Sequence, residues 1–348
     1  MKIDLTKINK KDIESLLLEK EMNIASAQAL FDYCFYTRDN PLNKNDILDY
    51  LELNLSNKED KYFYDTRIKP SIRKIDINDY KDNYYRNNIR PKEYKDKHYA
   101  LTYLKMNPYQ CFPYDDILID DEFREVSQIG YFDTSFKYLA VLKDDVVWMS
   151  TDPNEINTMN DSIKSASGRV LAFGLGLGYF PIMCASKKEV SSVVVIEKDP
   201  EIIKIFKKHI LPLFAYKEKI TIIEEDAFKY AKGDLDNNYD YLFIDIWHNP
   251  EDGLAMYLKF INILKDKKIK TSYWLNKSIL AMYRRCLLTV IEESLLGYSD
   301  KNYQVVENDY DKIINDLYFK TKNMSFTSFK KIKEILQDNS LLNLYNKK

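Results

Sequence analysis

The chain has 348 residues, 45% of them hydrophobic, with 52 Lys and Arg against 54 Asp and Glu and a formal net charge of −2 at pH 7. A balance this even excludes a global field that would draw the protein to nucleic acid or an anionic membrane. The absence of an 18-residue apolar run or an apolar leader core excludes a membrane span and a secretory leader from the expectation. Such a length can bury a large core and make more than one domain. Cys34, Cys111, Cys184 and Cys286 are far apart and lack CxxC spacing, so a reduced, cytoplasmic protein is expected. With histidines only at 98, 209 and 248, no metal site is expected.

Residues 1–115 read as a mainly helical N-terminal domain. Ile13, Leu16 and Leu17 are spaced for one helical face, and Ala25–Phe35 and Ile47–Leu55 for two more short helices. From 56 to 115 the Lys, Asp, Asn and Tyr content, broken by Pro70, Pro91, Pro108 and Pro113, predicts loops and short helices. Tyr80, Tyr84, Tyr85, Tyr94 and Tyr99 interleave there with Lys and Arg, a pattern that nucleic-acid surfaces share. Asp82, Glu93 and Asp96 dilute the charge, and an ordinary solvated surface is the simpler reading, with no nucleic-acid partner expected. Residues 116–165 form a small connecting element: Phe136–Leu142 and Val146–Ser150 flank Lys143-Asp144-Asp145 as a hairpin, and a helix follows Asp152 and Pro153 to about Ala166.

Four apolar, β-branched runs then end in Gly or acid, which is how parallel strands deliver binding groups to one edge of a sheet. The run Val170–Phe173 leads into Gly174, Gly176 and Gly178, three of only 8 glycines in the chain. A tight turn that lets a ligand approach the backbone requires Gly there, and Pro181 suits the first turn of the next helix. Val193–Ile196 ends at Glu197, placed to accept both hydroxyl protons of a ribose. Asp199 and Pro200 open a helix, with Asp199 as its cap. Ile220–Ile223 runs into Glu224, Glu225, Asp226 and Ala227, and Tyr241–Ile244 into Asp245, Ile246, Trp247 and His248. A fifth strand at Thr271–Leu275, a helix at Ser278–Leu296 and a helical extension over 301–348 complete the chain.

This ordered set resembles the class I S-adenosylmethionine-dependent methyltransferases, and within them the spermidine-synthase-like branch, over about residues 130–275. The resemblance implies an α/β, Rossmann-like sheet with helices on both faces, spanning residues 166–300. It implies S-adenosyl-L-methionine as cofactor, with Gly174, Gly176 and Gly178 under its methionine part, Glu197 on the ribose, and Asp226 with Ala227 at the adenine. Lys198 stands where many relatives place an apolar residue against the adenine ring, and its butyl stem would cover that face. Glu155, Asn157 and Thr158 are candidates for the amino-acid end of the cofactor or for substrate, with capping of their helix as the simpler role. The resemblance also implies a homodimer as a candidate assembly. Nicotinamide dehydrogenases fit less well, because the loop reads G-L-G-L-G rather than G-x-G-x-x-G.

The fourth strand end bears on the reaction. That branch carries an Asp in a D-x-x-D-P pattern to take the proton of an attacking amine. Asp245 matches, whereas the second Asp is replaced by His248-Asn249 with one residue more before Pro250. Aminopropyl transferases of the branch also carry an acid inside the Gly loop, where this chain has Leu177. Methyl transfer to an N or O nucleophile of a small molecule, an amine among the candidates, is therefore the first expectation. Asp245 or His248 would act as base and Trp247 would hold a cationic amine by its ring face, with a lid over the core as the alternative for Trp247 and His248. Aminopropyl transfer from decarboxylated cofactor is second, and a non-catalytic cofactor-binding sensor or scaffold third. Adenine-N6 methylation is disfavoured because His-Asn-Pro-Glu lacks the N-P-P-Y type pattern.

Overall fold

The computed structural model describes residues 1–43, 46–304 and 306–346. The apolar runs form five strands: β1 (Gly168–Phe173), β2 (Val190–Glu197), β3 (Ile220–Glu224), β4 (Tyr241–Ile244) and β5 (Lys270–Tyr273). All pair in parallel, in the order β3-β2-β1-β4-β5. Helices flank the sheet, so its central strands lose both faces to the core: Val170–Phe173 of β1 and all four residues of β4 are buried. This is the Rossmann-like α/β sheet expected. The chain order reverses between β1 and β4, and the crevice beyond the strand ends at such a point is where open α/β sheets place their ligands.

Register fixes what meets there. Phe173 of β1 pairs with Ile196 of β2 and with Ile244 of β4. The next residue on each strand is Gly174, Glu197 and Asp245, so the three come off the sheet in one row.

Upstream of the sheet the structure departs from the expected helices and loops. Tyr94–Lys95, Tyr99–Met106, Phe136–Lys143 and Val146–Ser150 form a four-stranded antiparallel sheet in that order. Ile72–Lys74, Glu125–Tyr131 and Phe112–Ile119 form a second, three-stranded sheet, mixed because Ile72–Lys74 pairs in parallel with Ile129–Tyr131. The hairpin after Phe136 is as expected, but its partner strand Tyr99–Met106 lies in the stretch read as loops and short helices. Alternating burial along that strand is weak, because Tyr99, Ala100 and Leu101 are all buried. The short helices expected in residues 1–55 are instead one 27-residue helix, Lys10–Tyr36, followed by Asp46–Tyr50. Residues 17–25 hold no Gly or Pro to break it.

Tyr80, Tyr85 and Tyr99 of the Tyr-rich stretch are buried. The Tyr85 hydroxyl donates to Leu177 O at 2.7 Å, and the Asn83 amide donates to the Tyr179 hydroxyl at 2.7 Å. Tyr85 thus fastens the Gly loop from outside, and Asn83 the helix that follows it. All four cysteines are buried free thiols, and no helix among the described residues is long and apolar enough to cross a membrane. The helices Asp309–Thr321, Phe329–Ile335 and Asp338–Asn346 make up most of the C-terminal extension, in which Ser325–Phe326 pairs in parallel with Lys2–Ile3.

Candidate active site

A cavity of about 440 Å³ opens beyond the ends of β1, β2, β3 and β4, a volume in the range of small-molecule sites. Gly174, Gly176, Glu197, Asp226, Ala227, Asp245, Trp247 and His248 all line it, as does Lys198. Of the residues read as site groups, Gly178 stands outside the wall, as do the candidates Asn157 and Thr158. Gly178 is the left-handed N-cap of the Tyr179–Ala185 helix, and a Cβ there would lie 2.0 Å from the Phe206 ring. Its work is to let Phe206 pack.

Gly174 answers to the neighbouring strand. Its φ is +95°, and a Cβ would sit 1.8 Å from the Asp245 carbonyl oxygen. The Asp245 amide donates to Phe173 O at 2.9 Å, so β1 and the residue after β4 are held in contact. Gly176, at φ +51°, is different: a Cβ there would meet nothing within 4 Å, and the bare backbone borders open cavity.

The carboxylates are presented in different ways. Glu197 is oriented by backbone amides: one oxygen accepts from Leu175 at 3.0 Å, the other from Lys198 and Asp199 at 2.8 Å each. Asp226 caps the Ala227–Tyr230 helix with Oδ1, which accepts from the Lys229 amide at 2.9 Å, and is otherwise exposed. Asp199 caps the Pro200–Ile205 helix as expected. Asp245 is half-buried, and its carboxyl receives no hydrogen bond or ion pair among the described residues. Desolvation, with the nearby Glu197 charge adding to it, pushes its pKa up to about 7.

Glu155 belongs with it. The helix Pro153–Ser165 is capped by Asp152, whose Oδ1 accepts from the amides of Asn154 and Glu155 at 2.9 and 3.1 Å. Capping therefore does not occupy Glu155, Asn157 or Thr158. Asn157 donates to the Tyr80 hydroxyl and to Tyr114 O, and Thr158 accepts from Trp274 Nε1 at 2.8 Å, both structural contacts. Glu155 lines the cavity, and desolvation, then the charges of Asp245 and Asp152, hold its pKa well above the usual carboxylate range. Sequence reasoning gave it the wrong preference, because the short N-cap pattern D-P-N-E suits either Asp152 or Glu155.

Trp247 is 4% exposed, packs its ring on Gly253, and has an indole N–H without a partner. His248 is half-exposed, with Nδ1 3.0 Å from Asp252 Oδ2 and its ring against Trp148. The departure from D-x-x-D-P has a local cause. Asn249 caps the Pro250–Leu264 helix, and Asp252 in turn accepts a hydrogen bond from the Asn249 amide, a reciprocal capping box. Trp148, on the hairpin, lines the cavity too and was not read as a site residue. Its signal was faint: one of three tryptophans, in a strand of its own.

The raised Asp245 pKa makes stability depend on pH. Unfolded, this carboxyl ionises near 3.8; folded, it keeps its proton to about 7, so stability is lost as pH rises through that interval. Asp245→Asn should thus raise the melting temperature at pH 8, with the gain shrinking towards pH 4. A gain that is the same at both pH values would contradict this origin.

No family model matches the chain, and no curated protein does. Among solved structures, the chain is similar to a spermidine synthase from Thermotoga maritima, with 14% identity and a TM-score of 0.31 over 43% of this chain and 59% of that one. A spermidine synthase bound to the transition-state analogue AdoDATO matches at 16% identity and 0.32, over 43% of this chain and 60% of that one. A precorrin 8W decarboxylase from Methanobacterium thermoautotrophicum matches at 20% identity and 0.28, over 37% and 67%. The chain thus spans about three fifths of the length of the two spermidine synthases.

Proposed function

We propose that this protein is a transferase that binds S-adenosyl-L-methionine and moves its methyl group to an N or O nucleophile of a small molecule. The observation that carries the reading is the row Gly174, Glu197 and Asp245 at the switch point of the sheet, bordering one cavity with Gly176 and Asp226. The residues suit such a ligand. Gly176 leaves a cradle that any side chain would fill. Acceptor-only carboxylates at Glu197 and Asp226 suit ribose hydroxyls and an adenine amine. Six carboxylates against one lysine line the walls, which favours a cation.

When bound, the sulfonium supplies an activated methyl group, and its sulfur retains the electrons of the broken C–S bond. The protein then has little chemistry left beyond alignment. Asp245, with a pKa near 7, is matched to taking the nucleophile's proton at physiological pH. His248, held by Asp252, is the second candidate for that proton.

Leu177, 4% exposed in the cavity wall, supports methyl over aminopropyl transfer, because an apolar group there leaves a cofactor carboxylate unopposed. One observation favours the second reading, aminopropyl transfer: the excess of wall carboxylates suits a decarboxylated cofactor with two positive charges. Calorimetry with both cofactor forms separates them. The expected result is tighter binding of the carboxylated form, and a Glu197→Ala protein that binds it about tenfold or more weakly, the effect of losing hydrogen bonds to a charged acceptor. Binding of neither form would remove the transferase reading, and an unchanged Glu197→Ala affinity would remove the ribose assignment.

A further inference from the structure

With Gly174, Gly176 and Gly178 all at positive φ, the Gly loop is a part of the cavity wall with much backbone freedom to lose. Its shape in the free protein depends on the bonds made to it. Within the loop the Gly178 amide donates to Leu175 O at 2.8 Å, and Glu197 accepts from the Leu175 amide at 3.0 Å. The buried Leu177 carbonyl finds its partner 92 residues upstream, in the Tyr85 hydroxyl at 2.7 Å. The peptide unit joining Leu177 to Gly178 is thus held at both ends, its N–H by the loop and its C=O by Tyr85. Burial pushes the Tyr85 phenol pKa up, so it stays a neutral donor.

The same short helix, Tyr84–Asn88, makes a second bond of this kind. Asn83 Oδ1 caps it by accepting from the Arg86 amide at 3.0 Å, while Nδ2 donates to the Tyr179 hydroxyl at 2.7 Å. Leu177 and Tyr179 line the cavity, whereas Tyr85 and Asn83 do not. We propose that Tyr85 is a positioning residue for the cofactor: through the Leu177 carbonyl, and with Asn83 beside it, it fixes the Gly loop in the shape that receives the amino-acid end of S-adenosylmethionine. This rests on the transferase reading and holds for either transferred group. It gives the segment ahead of the sheet a role in the site, since a five-residue helix presets a loop that it touches only from outside. Losing the hydroxyl would leave a buried carbonyl without a donor and return to the loop a freedom that ligand binding then has to remove.

Tyr85→Phe keeps the ring and removes only the donor. In calorimetry on the full chain, S-adenosylhomocysteine should bind the variant about tenfold more weakly than the parent, whereas adenosine, which lacks the amino-acid end, should bind both within about twofold. If only the decarboxylated cofactor binds the parent, it takes the place of S-adenosylhomocysteine. In the free protein, hydrogen exchange of the Leu175 and Gly178 amides should quicken while that of Val170–Phe173 stays as it was. Asn83→Ser keeps a capping oxygen and loses the donor to Tyr179, and should show the same split between ligands even where Tyr85→Phe fails to fold. A Tyr85→Phe protein that melts lower yet binds both ligands like the parent would make Tyr85 a packing residue and overturn the proposal. So would an equal loss for both ligands, since the loop would not be the part affected. If the parent binds no adenosyl ligand, the transferase reading falls instead, and hydrogen exchange alone decides whether Tyr85 holds the loop, an unchanged rate overturning it.

Discussion

Asp245→Asn should lower turnover by about 10²–10⁴-fold, the span expected when a positioned general base is removed. Asn keeps the shape of the side chain, and the backbone contact of Asp245 with Phe173 O does not involve the carboxyl. Cofactor affinity should therefore change much less than rate, and the folded protein should gain stability at alkaline pH. This opposition of rate and stability is the signature of a group held in an unfavourable environment because the reaction uses it. Single-turnover measurement under saturating cofactor and acceptor is the direct check. A variant that turns over at the parental rate would move the base elsewhere, with His248 next.

Gly174→Ala should be the most damaging of the small substitutions. The added Cβ would lie 1.8 Å from a backbone oxygen, which cannot swing aside, and φ of +95° is strained for any L side chain. Overpacking and backbone strain together predict a loss of about 3–5 kcal/mol. Because that oxygen belongs to Asp245, what remains folded should also bind cofactor poorly. Gly176→Ala provides the contrast. Its Cβ meets no protein atom, so destabilisation should stay near the about 1–2 kcal/mol of a left-handed residue, while cofactor affinity falls as the methyl enters the cradle. Chemical denaturation with and without adenosyl ligand separates the two. Equal stability losses would show that the loop is a packing turn at both positions.

The central sheet was legible in the sequence because its strands are short β-branched runs closed by Gly or acid. Burial on both faces demands such runs, and the polar residue at each end marks where the core stops. Gly174, Gly176, Glu197, Asp226 and Asp245 could be placed from that pattern alone. Gly178 could not be sorted from its neighbours, since its reason for being glycine is Phe206, 28 residues away. Glu155 was given the capping role for a local reason: a carboxylate near a helix start looks like a cap until Asp152 is seen to fill that place. The strand Tyr99–Met106 was missed because it is not alternating, and the pairing partner that makes it a strand lies beyond residue 135. Tyr85 reads as surface from its basic neighbours, yet it closes over Leu177. Except at Glu155, whose rival Asp152 is three residues away, what the sequence hides is a partner distant in the chain.

The parallel pairing of Lys2–Ile3 with Ser325–Phe326 carries a consequence for biosynthesis. Lys2 and Ile3 must wait for a segment made about 320 residues later before their backbone groups find partners. The Gly loop and its acids can be in place earlier, so a chain stalled after residue 300 would hold every residue of the cavity wall while Lys2–Ile3 still lacked its partner strand. Bulky fusions ahead of Lys2 would hinder that pairing.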